Sequence, residues 1–111
     1  MKRKVWVYVS GPYTLGDPVI NVRRALMIAE QLKEFGYIPI CPHLFHFWHH
    51  IYPHSWEWWL DYDLHLVDGC DCVLRIPGES KGADTEVNHA ISYKVPVYFS
   101  IDELKNKMPP V

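Results

Sequence analysis

The chain has 111 residues, 49% of them hydrophobic and 14% aromatic, with a formal net charge of −2. That length supports one domain, residues 1–111, whose folding buries roughly 60–70% of the surface of the unfolded chain, so no staple is required. With no basic excess, a nucleic-acid polymer is excluded as the expected partner, whereas one small phosphorylated ligand, held by a few backbone amides and a hydroxyl, stays compatible.

Met1-Lys2-Arg3-Lys4 runs straight into an apolar stretch and lacks the h-region of a signal peptide. No apolar run approaches the roughly 20 residues of a membrane span, so a cytoplasmic protein with no membrane partner is expected. Residues 5–9 are β-branched and aromatic and predict a buried strand, broken by Ser10-Gly11-Pro12. Asp17-Pro18 reads as an N-cap followed by proline at the first helical position, and apolar residues then recur at three-and-four spacing as far as Gly36, a C′ glycine. Residues 37–41 predict a second strand. Residues 42–54 carry two prolines, five histidines and several aromatics with no clear period, which reads as a loop or irregular lid. Ser55 caps a helix expected over 56–68, stopped by Gly69. A third strand over 72–76, a helix over 81–94 and a fourth strand over 95–99 follow, and the Ser100 to Glu103 capping box opens a short last helix.

Strands alternate with helices throughout. The fold class expected is α/β, a single-domain doubly wound parallel sheet of four to five strands, flavodoxin/Rossmann-like, with helices on both faces. Ligands in such folds sit beyond the carboxyl ends of the strands, near the switch in strand order, so residues 10–16, the lid after Cys41 and residues 77–86 should converge. The three cysteines, Cys41, Cys70 and Cys72, match neither a disulfide framework nor a zinc spacing and read as reduced, mostly buried thiols.

Two carboxylates stand out. On a helix Asp63 neighbours Trp59, Leu60, Leu66 and Val67, so it interrupts an apolar stripe. A carboxylate there is costly unless paired, hydrogen-bonded or protonated. It is either an acid with a raised pKa or a structural aspartate bonded to amides or an arginine. Glu86 neighbours Gly82, Ala83, His89 and Ala90, small residues that leave room for something to approach. The preceding turn delivers Ser80 and free amides to a helix N-terminus, which suits an anion or an ordinary cap. The turn at Ser10, Gly11 and Pro12 presents amides and hydroxyls to a ligand or is a tight βα turn. His43, His46, His49, His50 and His54 lie among aromatics. They suit a lid that stacks on a planar base, with Trp48 and Trp59 as stacking candidates, or a packing or subunit interface, or a metal site at helical spacing, although no acidic or thiol ligand interleaves them.

Val7-Tyr8-Val9-Ser10-Gly11-Pro12, Asn21, the run from Trp56 to Asp63, Cys70-Asp71-Cys72-Val73-Leu74, and Ser80-Lys81-Gly82-Ala83-Asp84-Thr85-Glu86 together resemble the nucleoside 2-deoxyribosyltransferase-like superfamily, and its compact DUF4406 branch most closely. The resemblance implies Glu86 as the nucleophile at the anomeric carbon, Asp63 as the residue that contacts the base and helps it leave, and Tyr8 as the group that orients the nucleophile. It implies substrate contacts at Ser10, Gly11, Pro12, Ser80 and Gly82. Transferases of the superfamily carry an aspartate at the position of Ser80, for a free 5′-hydroxyl, whereas the related deoxynucleotide hydrolases carry a serine there, for a 5′-phosphate. The implied substrate is therefore a nucleoside 5′-monophosphate or nucleoside, cleaved as a retaining glycosidase cleaves, with no metal or redox cofactor. Asp84 departs from the glycine common at its position and brings a negative charge near Glu86. The resemblance also implies a homo-oligomer in which a neighbouring subunit supplies a polar residue. A non-catalytic nucleotide-binding module and a histidine-rich metal-binding protein are the competing functions.

Overall fold

The computed structural model describes residues 3–111. The elements run β1 (Trp6–Ser10), α1 (Pro18–Glu34), β2 (Ile38–Ile40), a 3-10 helix (Pro42–Phe45), α2 (His46–Ile51), α3 (Trp56–Asp68), β3 (Cys72–Arg75), α4 (Lys81–Ser92), β4 (Val97–Tyr98) and α5 (Ile101–Lys107). The four strands form one parallel sheet in the order β2-β1-β3-β4. The chain reverses its direction of travel across the sheet between β1 and β3, so the switch point lies at Ser10 and Arg75, which are register partners.

Strand alternation divides the core into two layers. Val7 and Val9 of β1, with Cys72 and Leu74 of β3, face Ala25, Ala29 and Leu32 of α1 and Leu104 of α5. Tyr8 and Val73 point the other way and pack with Val67 of α3, Cys70 and Ala90 of α4. Ser10 shares the face of Tyr8, two residues on, and both are fully buried. The side chains at the carboxyl end of β1 are therefore delivered to the α3/α4 layer. All three cysteines are free and buried, and burial pushes each thiol up, to about 11 for Cys41 and Cys70 and about 12 for Cys72. No helix among the described residues is long and apolar enough to cross a membrane.

The helix starts follow the caps in the sequence. Asp17 accepts from the amides of Val19 and Ile20, Ser55 from Trp58, and Ser100 from Glu103. Gly36 takes φ +97 after α1. The fourth strand is shorter than expected, and α4 ends at Ser92, before Lys94 turns with φ 61. Residues 42–54 depart most from expectation, because most of this stretch is helical. Neither the 3-10 helix nor α2 has a side-chain cap, so no local signal marks their ends. Aromatic packing on α3 holds them instead. The Phe45 ring stacks on Trp59 with centroids 5.8 Å apart, and Trp48 meets Trp59 edge-on at 5.1 Å.

Candidate active site

Glu86 is 6% exposed and sits on the inner face of α4. Tyr8 donates its hydroxyl to Glu86 Oε2 at 2.8 Å, and Ser10 donates to Oε1 at 2.7 Å. Each carboxylate oxygen is thereby fixed by one strand hydroxyl, and the pairing follows from the two-residue period of β1. Burial pushes the Glu86 carboxyl up from its ordinary value; the Ser10 and Tyr8 hydroxyls and the Arg75 guanidinium oppose that shift. Burial first, then the Glu86 charge, pushes the Tyr8 phenol well up, so it stays a neutral donor.

Asp63 enters the same cavity from α3. Its Oδ1 is buried and has no hydrogen-bond partner among the described residues. Burial, followed by the Glu86 charge and a hydrogen bond shared with the Glu86 carboxyl, raises its pKa to about 8. A buried and a half-buried carboxylate in one cavity do not both ionise readily. Glu86 has two hydroxyl donors and is suited to the anion, whereas Asp63 lacks them and is suited to hold the proton. The arrangement thus separates a nucleophile-like carboxylate from an acid-like one.

The cavity has a volume of about 590 Å³, within the range of small-molecule sites. It opens beyond the carboxyl ends of β1 and β3. Gly11, Ser80, Gly82, Trp59, Asp63 and Glu86, all expected from the sequence to contact substrate or react with it, line it. Tyr8 and Ser10 stand behind Glu86 and act through it. Pro12 is also behind the wall, where its carbonyl accepts from His43 Nε2 at 2.9 Å. Trp48 lies outside the lining, packed on Trp58, Trp59 and Tyr62. His43, His46, His49 and His54 of the lid line it too, and so do Tyr13 and Trp56, to which the sequence assigned no role. Tyr13 hydrogen-bonds His46 Nδ1, a contact across 33 residues with no local sequence signal. The Asn21 amide donates to the carbonyls of Tyr13 and Leu15, both at 2.9 Å, and so fixes the loop that carries Tyr13.

Ser80 caps α4, its Oγ accepting from the Ala83 amide at 3.1 Å, which leaves its O–H free to donate. Lys81 lies beside it on the wall, 5.5 Å from the Trp56 ring centroid. Asp84 is turned away. It pairs with Arg75 at 3.0 Å, and the same guanidinium donates to the carbonyls of Ile76 and Gly78. The negative charge that the sequence brings close to Glu86 is therefore matched by a cation that acts on Glu86 in the opposite sense.

Two glycines set the shape of the rim. A Cβ on Gly11 would lie 3.0 Å from Ile76 Cβ. Gly78 holds φ +125, and a Cβ there would lie 2.7 Å from Pro12 Cγ. Gly78→Ala is expected to cost about 1–3 kcal/mol of stability, read by chemical denaturation, because both the backbone strain and the clash arise at once.

Among the described residues, no group of three or more His, Cys, Asp or Glu side chains is arranged to hold a metal ion. The lid histidines are instead bonded to Pro12, Tyr13, Trp59 and one another.

The family model for the domain of unknown function DUF7768 matches residues 5–100. The chain belongs to the DUF7768 family. That corrects the finer placement expected from the motif strings, which pointed to DUF4406. No curated protein matches. Among solved structures, this DUF7768 domain is similar to a 2-deoxyribosyltransferase from the psychrotolerant bacterium Bacillus psychrosaccharolyticus, described as a biocatalyst for the synthesis of nucleosides. The TM-score is 0.58 at 18% identity, over 84% of this chain and 69% of that one. The likeness establishes the α/β fold, which in this chain has a four-stranded parallel sheet flanked by helices.

Proposed function

We propose that this DUF7768 domain is an N-glycosidase, acting as hydrolase or glycosyltransferase, that cleaves the base–sugar bond of a nucleoside 5′-monophosphate or nucleoside. The observation that carries the reading is the pair of carboxylates on one cavity, with Glu86 held by Tyr8 and Ser10 and Asp63 raised to about 8. The fold likeness to a 2-deoxyribosyltransferase supports it.

In this mechanism a Glu86 oxygen attacks C1′ through an oxocarbenium-like transition state. The C1′–N bond breaks, its electron pair leaves with the base, and the Asp63 proton goes to the departing nitrogen. A glycosyl ester on Glu86 remains. Water, or the nitrogen of a second base, then attacks C1′, the ester C–O bond breaks, and the attacking group's proton returns to Asp63. Ser80, with its free O–H, and Lys81 support a 5′-phosphate at the α4 end, where Arg75 takes up the charge of Asp84.

The test is incubation with a panel of ribo- and deoxyribonucleoside monophosphates, with and without an acceptor base, and chromatography for free base. Release from at least one is expected; release from none overturns the reading. Within the same assay Tyr8→Phe is expected to lower kcat roughly 10–100-fold, because one of the two hydroxyls that hold the Glu86 anion is gone. The acidic limb of its pH–rate profile should move upward, since loss of that donor lets the Glu86 pKa rise further.

A further inference from the structure

The His49 ring lines the cavity wall. Its Nδ1 is turned to α3, where the Trp59 indole N–H donates to it at 2.8 Å and the His54 amide donates at 3.3 Å. Both partners are donors only, so Nδ1 must be an acceptor without a proton. The neutral ring therefore carries its proton on Nε2, a nitrogen with no hydrogen-bond partner among the described residues. Trp59 lies one helical turn before Asp63, and His49 and Asp63 line the same cavity.

We propose that His49 is a specificity-determining residue that offers a fixed N–H donor to the substrate base, and so selects a base carrying a ring carbonyl over its counterpart carrying an exocyclic amino group. This rests on the N-glycosidase reading of the cavity and deepens it. A carbonyl oxygen accepts from Nε2–H, whereas an amino group opposes donor to donor and leaves both unpaired. A fixed tautomer makes this difference one-sided, because the ring cannot turn its acceptor nitrogen to the substrate without giving up the Trp59 bond.

The experiment compares isosteric pairs, inosine against adenosine 5′-monophosphate and uridine against cytidine 5′-monophosphate. Base release gives kcat/KM, and calorimetry gives binding. A preference of about 10–100-fold for the carbonyl member of either pair is expected. In His49→Gln that preference should fall to within a few-fold, because a side-chain amide presents donor or acceptor by rotating. Nitrogen-15 NMR of the histidine rings in the unaltered chain should show an unprotonated Nδ1 and a protonated Nε2 at His49. If nucleotides bind with the carbonyl preference but no base is released, the glycosidase reading fails and the role of His49 stands. If both members of both pairs are cleaved equally well, the role of His49 is overturned while the glycosidase reading stands. Neither binding nor release overturns both, and a protonated Nδ1 overturns the role of His49 alone.

Discussion

Replacing Glu86 with glutamine is expected to abolish base release, with a fall in kcat of at least about 10³-fold. Glutamine keeps the side-chain shape; its carbonyl oxygen can accept from one of the Tyr8 and Ser10 hydroxyls and its amide nitrogen can donate to the other, so the fold should persist with a melting temperature close to that of the unaltered chain. What it lacks is the anionic oxygen that the proposed mechanism sets against C1′. Rapid acid quench and mass spectrometry of the unaltered chain during turnover should show an adduct with the mass of the sugar phosphate, and Glu86→Gln should show none. Glu79→Gln is the control on the same rim and should retain turnover. The substitution also removes a cause of the raised Asp63 pKa. Asp63 should then titrate lower than about 8 yet stay above the usual carboxylate range, because burial is the larger cause and is unchanged. An active Glu86→Gln enzyme would sink the nucleophile assignment.

Asp63→Asn is expected to lower kcat by about 10²–10⁴-fold and yet to stabilise the fold at alkaline pH. The sign follows from proton linkage. A carboxyl raised from 3.8 to about 8 keeps its proton in the folded state across a window where the unfolded chain has lost it. The folded state therefore binds more protons there, and stability falls as pH rises, by up to about 1.4 kcal/mol per pH unit. Asparagine is neutral at every pH and removes that slope. Denaturation midpoints of the two proteins should be similar near pH 4 and diverge in favour of Asp63→Asn towards pH 8. For the unaltered enzyme, kcat should decline above about pH 8 as the acid is lost, and the asparagine variant should lack that limb. Midpoints that run parallel from pH 4 to pH 8 would show that Asp63 is ionised in the folded protein and would remove it as the acid.

Much of the frame is legible in the chain itself. Asp17-Pro18, Ser55, Ser80 and Ser100 mark helix starts because a side-chain oxygen beside an apolar-periodic run satisfies a free amide locally. The alternation of strand and helix fixes a parallel sheet, and the sheet fixes the end at which a ligand sits. Asp63 on an apolar stripe is a conflict visible from helical spacing alone, and it corresponds to a buried oxygen without a partner. The short helices between Pro42 and Ile51 are not legible, because packing on Trp59 holds them and no cap does.

The sequence by itself determined the order of the strands and longer helices, the sheet type and the two candidate carboxylates, one on an apolar stripe and one among small residues. These depend on periodicity and capping, which act over a few residues. Tertiary structure decided everything that depends on contact between distant segments. Tyr8 meets Glu86 across 78 residues and Ser10 meets it across 76. Arg75 takes up Asp84, and Trp59 sets the tautomer of His49. The charge state of a carboxyl follows from what surrounds it in space, so the division of labour between Glu86 and Asp63 exists only once α3 and α4 have packed on the same face of the sheet.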